Sequence, residues 1–81
     1  MNWRHYIHSD PQVLVGKPIV KGTRLSVEFI LGLFAAGWTT QQVLDSYPTL
    51  NSIDLQATFA FAADCLKDNV YYSPLLLAEA S

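Results

Sequence analysis

Gly16-Lys17-Pro18-Ile19-Val20-Lys21-Gly22-Thr23-Arg24-Leu25-Ser26-Val27 holds a change of chain texture within one short stretch. Before it lie Pro11 and short β-prone runs; after it the pattern is helical. Val13-Leu14-Val15 and Ile19-Val20 are two such runs, and Gly16-Lys17-Pro18 between them predicts a tight antiparallel hairpin. Pro18 has no N–H to give to a ladder, which places it at a strand start or an edge. Tyr6-Ile7-His8 reads as a third short strand, closed by Ser9-Asp10-Pro11 as a turn. Gly22 sits where a β run must reverse into a helix that begins at Ser26, a bend that calls for a positive φ. Thr23 can fix that bend through local bonds to the backbone.

Three helices follow. Ser26 is a good N-cap, and Val27, Ile30, Leu31 and Phe34 recur at helical spacing as a core stripe. Gly37 ends this helix as the left-handed residue after the cap. Thr39-x-x-Gln42 matches a capping box; Val43, Leu44 and Tyr47 make the apolar face of the second helix, and Pro48 stops it. The third helix follows Asn51, with Asp54 favouring its positive end. Leu55, Phe59, Ala62 and Leu66 form one stripe on it, while Ala57, Phe61 and Cys65 lie largely off that stripe. The third helix is therefore apolar over more of its circumference than one core needs. Ser73-Pro74 can open a last short helix or an extended tail. The sequence predicts an α+β, mostly α fold: a short N-terminal β-hairpin, a three-helix bundle, and a C-terminal tail or short helix. It reads as one domain over residues 1–81, with the hairpin region in 1–25, the helical core in 26–69 and the tail in 70–81.

Composition narrows the function classes. Hydrophobic residues make up 51% of the 81 and charged residues 15%, against about 25% charged in an ordinary folded domain. This excludes a disordered chain. A domain this small cannot bury all of its apolar surface, and surface left outside marks an interface. The formal net charge of −2 gives no general attraction for nucleic acid or anionic membranes. Cys65 is the sole cysteine, so no internal disulfide is expected. Met1 to Asp10 holds no apolar run of signal-peptide type, no run approaches a membrane span, and a cytoplasmic location is expected.

The stretch from Gly16 to Val27, then Gly37 before Trp38-Thr39, Val43-Leu44, Tyr47-Pro48 and a long helix carrying Asp54-Leu55, together resemble domain-of-unknown-function family 433, a widespread prokaryotic family. The resemblance covers roughly Ile7 to Ala63. It implies a helix-turn-helix-like three-helix core preceded by a β-hairpin. It also implies an antitoxin-like role, since such families tend to be encoded beside a PIN-like nuclease toxin.

Four of the five basic residues, Arg4, Lys17, Lys21 and Arg24, lie in the first 25 positions. Lys17, Lys21 and Arg24 are the candidate nucleic-acid contacts. The third helix carries Asp54 and Asp64 and no Lys or Arg between residues 51 and 64. It lacks the cations that give a recognition helix its phosphate contacts. Arg24, just before a helix N-terminus that disfavours cations, pairs either with a carboxylate such as Asp10, Asp45 or Asp54, or with an anion from outside. Lys17 precedes Pro18 rather than opening a helix, which argues against a phosphate-binding loop. His5, His8 and Asp10 would share a face only on a helix, and no cofactor, metal or catalytic group is expected. The apolar excess, Phe61, Leu66, Val70, Tyr71, Tyr72, Leu75, Leu76 and Leu77, is the candidate partner or dimer interface. The expected function is a non-enzymatic interaction module resembling an antitoxin that masks a PIN-like nuclease. A DNA-binding regulator using the hairpin cations and a homodimer of structural role are the alternatives.

Overall fold

The computed structural model describes residues 1–67. Strands β1 (Ile7–Ser9) and β2 (Pro18–Val20) form an antiparallel hairpin, followed by helices α1 (Val27–Ala35), α2 (Thr40–Ser46) and α3 (Ser52–Lys67). The architecture is α+β and mostly helical. The region expected to form a C-terminal tail or short helix lies outside the described residues.

Ile7 pairs with Val20, His8 with Ile19 and Ser9 with Pro18. The Lys21 N–H donates to the Tyr6 carbonyl at 2.8 Å and extends the ladder by one rung. The partner of Ile19-Val20 is therefore the segment at Ile7, not Val13-Leu14-Val15. Leu14 (φ 51), Val15 (φ 56) and Gly16 (φ 78) are all left-handed, and this tight turn replaces the expected strand. The reason lies in burial. Pairing Ile7 with Val20 puts two buried side chains opposite each other, whereas Val15 is 95% exposed. Pro18 does sit at the strand start.

Gly22 has φ +80. The Thr23 hydroxyl donates to the Val20 carbonyl at 2.8 Å and accepts from the Leu25 N–H at 3.0 Å. The Val20 N–H donates to the Leu25 carbonyl at 3.0 Å, and Ile19 bridges to Ser26. This compact loop delivers Ser26, whose hydroxyl accepts from the Phe29 N–H at 2.9 Å and caps α1. Two substitutions should move stability in opposite directions. Gly22→Ala meets open space but a forbidden φ, and should cost about 1 kcal/mol. Val15→Asn replaces a β-branched residue in a left-handed conformation with one that tolerates it, and should gain about 1 kcal/mol. Urea titration of the two variants checks both signs.

Helix α1 ends in a Schellman motif. Gly37 (φ +97) donates to the Phe34 carbonyl at 3.0 Å and Trp38 to the Leu33 carbonyl at 3.1 Å. The capping box is present at α2. The Thr39 hydroxyl accepts from the Gln42 N–H at 3.2 Å, and the Gln42 side chain accepts from the Thr39 N–H at 2.8 Å. A second reciprocal pair opens α3. The Asn51 N–H donates to Asp54 Oδ2 at 3.0 Å, and the Asp54 N–H donates to Asn51 Oδ1 at 3.3 Å.

The buried face of α3 differs from the expected stripe. Asp54, Leu55, Ala57 and Thr58 are buried, whereas Phe59 and Leu66 are exposed. Two polar residues can face inward because their groups are satisfied locally. Asp54 serves the cap, and the Thr58 hydroxyl donates to the Asp54 carbonyl at 2.9 Å. One core cluster joins Val20, Ile30, Val43, Leu50 and Leu55 across β2 and all three helices. A second joins Ile7, Val27 and Ala57, with Trp3, Tyr6, Leu31 and Phe61 packed against it.

Candidate functional site

Among the described residues the second cluster is incompletely covered. Beside it runs an open groove of about 460 Å³. Val27 and Leu31 of α1 form one wall; Phe61, Ala62, Cys65 and Leu66 of α3 form the other, with Pro18 of β2 also lining it. Glu28 is the charged residue at its edge, and Lys17 Nζ meets Glu28 Oε2 at 3.0 Å. Both side chains of that pair are exposed, so it contributes little to stability.

The α3 wall is braced from the N-terminus. The Asn2 side chain accepts from the Arg4 N–H at 3.2 Å and caps a single 3-10 turn over Trp3–His5. That turn sets the Trp3 ring edge-on against Phe61, centroids 4.7 Å apart at 90°. Trp3 Nε1 donates to Asp64 Oδ2 at 2.7 Å, and the Arg4 guanidinium lies 4.3 Å from the centroid of the Trp3 ring. Edge-to-face contact, a hydrogen bond and a cation–π contact each favour this one placement. Phe61 is thereby held half-buried, with part of its surface left in the groove. Sequence reasoning missed Trp3. The signal was an indole, apolar in body with one N–H to satisfy, beside an arginine.

The candidate interface residues divide. Phe61 and Leu66 both line the groove, and Leu66 is 47% exposed. Val70, Tyr71, Tyr72, Leu75, Leu76 and Leu77 lie outside the described residues. Cys65 is exposed at the groove.

The three candidate cations occupy three different surroundings. Lys17 is engaged by Glu28. Lys21 is exposed next to the β1–β2 ladder, and Arg24 is exposed beside a shallow cleft formed with Leu14, Leu25 and Phe29. Neither Lys21 nor Arg24 makes an ion pair with a described residue. The carboxylates considered for Arg24 are bound elsewhere. Asp54 caps α3, Asp45 accepts from Gln41 Nε2 at 2.8 Å, and Asp10 accepts from the Gln12 N–H at 2.9 Å. Among the described residues no three His, Cys, Asp or Glu side chains come together, and no helix is long and apolar enough to cross a membrane.

Hairpin, three capped helices and an apolar groove between α1 and α3 define a small, mostly helical α+β protein. The chain belongs to the family described as "Protein of unknown function (DUF433)", whose model matches residues 7–62. It is similar to "Uncharacterized protein y4eO" of Sinorhizobium fredii (strain NBRC 101917 / NGR234), with 30% identity over 59 residues. That match covers 73% of this chain and 27% of the relative, so the chain spans about a quarter of the relative's length. No solved structure matches it significantly.

Proposed function

We propose that the chain is a non-enzymatic interaction module, antitoxin-like, which binds and masks a PIN-like nuclease through the groove between α1 and α3. The groove itself carries this reading. Pockets for metabolites combine an apolar lining with several convergent polar groups that orient the ligand. Here the lining is aliphatic, aromatic and thiol, with a single carboxylate at the edge. Such a surface suits leucine or aromatic anchors of another polypeptide. The PIN-like partner comes from the family resemblance. The test is co-expression with a PIN-like nuclease, chosen by inspecting the neighbouring genes. A stoichiometric complex with suppressed ribonuclease activity is expected. Free nuclease at full activity, in the presence of excess folded chain, would refute the masking role.

One observation favours a second reading, a DNA-binding regulator. Lys21 and Arg24 are exposed with no acidic partner among the described residues. Two cations release few counterions, so log K should fall with log salt at a slope no steeper than about −2. Isolated protein is expected to bind DNA weakly, and a salt titration with Lys21→Ala and Arg24→Ala measures their share. Tight sequence-specific binding by the protein alone would favour the regulator. A homodimer of structural role remains the third reading, tested by light scattering at micromolar concentration.

A further inference from the structure

We infer that the groove has an occupant within the same chain: the segment 70–77, Val70-Tyr71-Tyr72-Ser73-Pro74-Leu75-Leu76-Leu77, docks there and competes with the external partner. This rests on the groove being a polypeptide-binding face, and not on the identity of the partner.

The position of the groove on α3 carries the argument. Its α3 wall runs from Phe61 to Leu66, one residue before Lys67, the last described residue, so segment 70–77 follows the groove wall within four positions of the sequence. At 1.5 Å per residue that wall is about 7.5 Å long. Two or three extended residues of about 3.3 Å each would run its length. Asp68 and Asn69, residue types that favour chain reversal, separate Lys67 from Val70 in the sequence. Chemistry agrees with geometry. Segment 70–77 contains no charge and six Val, Tyr or Leu residues, while Asp68 and Glu79 flank it. Nothing in it would be repelled by Glu28 at the groove edge.

The choice between this chain and a second copy is one of concentration. A ligand tethered by a short linker has an effective concentration on the order of millimolar. A second copy at micromolar concentration is disfavoured roughly 10³-fold against a tether that reaches. The partner must then displace the segment, and its apparent affinity is lowered by the fraction of grooves left free.

The experiment uses the full chain without nuclease. Glu28→p-benzoylphenylalanine places a photoreactive group at the groove edge on an exposed position. The variant is irradiated as an equal mixture of ¹⁴N- and ¹⁵N-labelled protein, and cross-linked peptides are identified by mass spectrometry. Cross-links from position 28 to residues 70–77 within one isotopic form are expected. Mixed-isotope cross-links would overturn the proposal in favour of a second copy. Cross-links only to other segments, or none, would overturn it outright. A second readout uses the native side chain at position 28. Replacing Leu75, Leu76 and Leu77 together by Ser should raise the rate of Cys65 thiol modification about tenfold, and an unchanged rate would contradict docking. Neither readout involves nuclease. Failure of the masking assay with intact intrachain cross-links leaves this inference standing, and the converse result leaves the masking role standing.

Discussion

Ile30→Ala should destabilise the protein by about 3 kcal/mol, within the range for truncating a fully buried isoleucine. Ile30 has 0% exposure and sits in the cluster that unites Val20 of β2, Val43 of α2, Leu50 of the α2–α3 connection and Leu55 of α3. Three helices and the hairpin meet at this side chain. They are joined by short loops and, within the described residues, by no disulfide, so little backbone can move to close the cavity. A domain of this size has about 4–12 kcal/mol of stability in all. Losing about 3 should lower the melting temperature by at least about 12 °C. Thermal denaturation followed by circular dichroism checks it. A loss below about 1 kcal/mol would mean that the core does not converge on Ile30.

Leu66→Asp should have the opposite profile, with little effect on the melting temperature and a large effect on partner binding. Leu66 is 47% exposed among the described residues, and a carboxylate there stays hydrated by releasing segment 70–77, which leaves the buried core intact. In a complex that fills the groove, the same substitution removes an apolar anchor and buries an unpaired charge. A cost of about 3 kcal/mol is expected, or more than 100-fold in Kd. Phe59→Ser supplies the control. Phe59 is also 47% exposed on α3, but it packs against Phe34, centroids 5.0 Å apart, and does not line the groove. Its replacement should leave the Kd within about threefold, since surface apolar residues outside an interface contribute little to it. Titration calorimetry with the nuclease separates the two. Equal losses for both variants would point to α3 as a whole and away from the groove.

The features that sequence reasoning recovered are those decided within four residues. Ser26 and Thr39 with Gln42 cap helices through local hydrogen bonds, the third helix starts after Asn51, and Gly22 and Gly37 take the left-handed φ that their turns require. The features it missed are decided across the chain. Val13-Leu14-Val15 and Tyr6-Ile7-His8 have similar β-propensity, and only the chance to bury Ile7 against Val20 selects between them. The inner face of α3 was misplaced because Asp54 and Thr58 look like surface residues until their local bonds are seen. Arg24 was offered three carboxylates, each already committed to a nearby donor. Half of the groove was visible as apolar excess at Phe61 and Leu66. The other half was not, because Val27, Leu31 and Pro18 read as core and turn. Only the docking of α1 beside α3 turns them into a wall.

Hydrogen–deuterium exchange of the chain with Leu75, Leu76 and Leu77 replaced by Ser, so that the free groove is empty, alone and saturated with a PIN-like nuclease, tests the proposed partner-binding groove most directly. Side-chain occupation of the groove should slow amide exchange in the two helical segments that wall it, residues 27–31 and 61–66, and leave α2 near its free rate. Protection confined to the hairpin and the turn around Lys21 and Arg24, with both walls unchanged, would contradict the account.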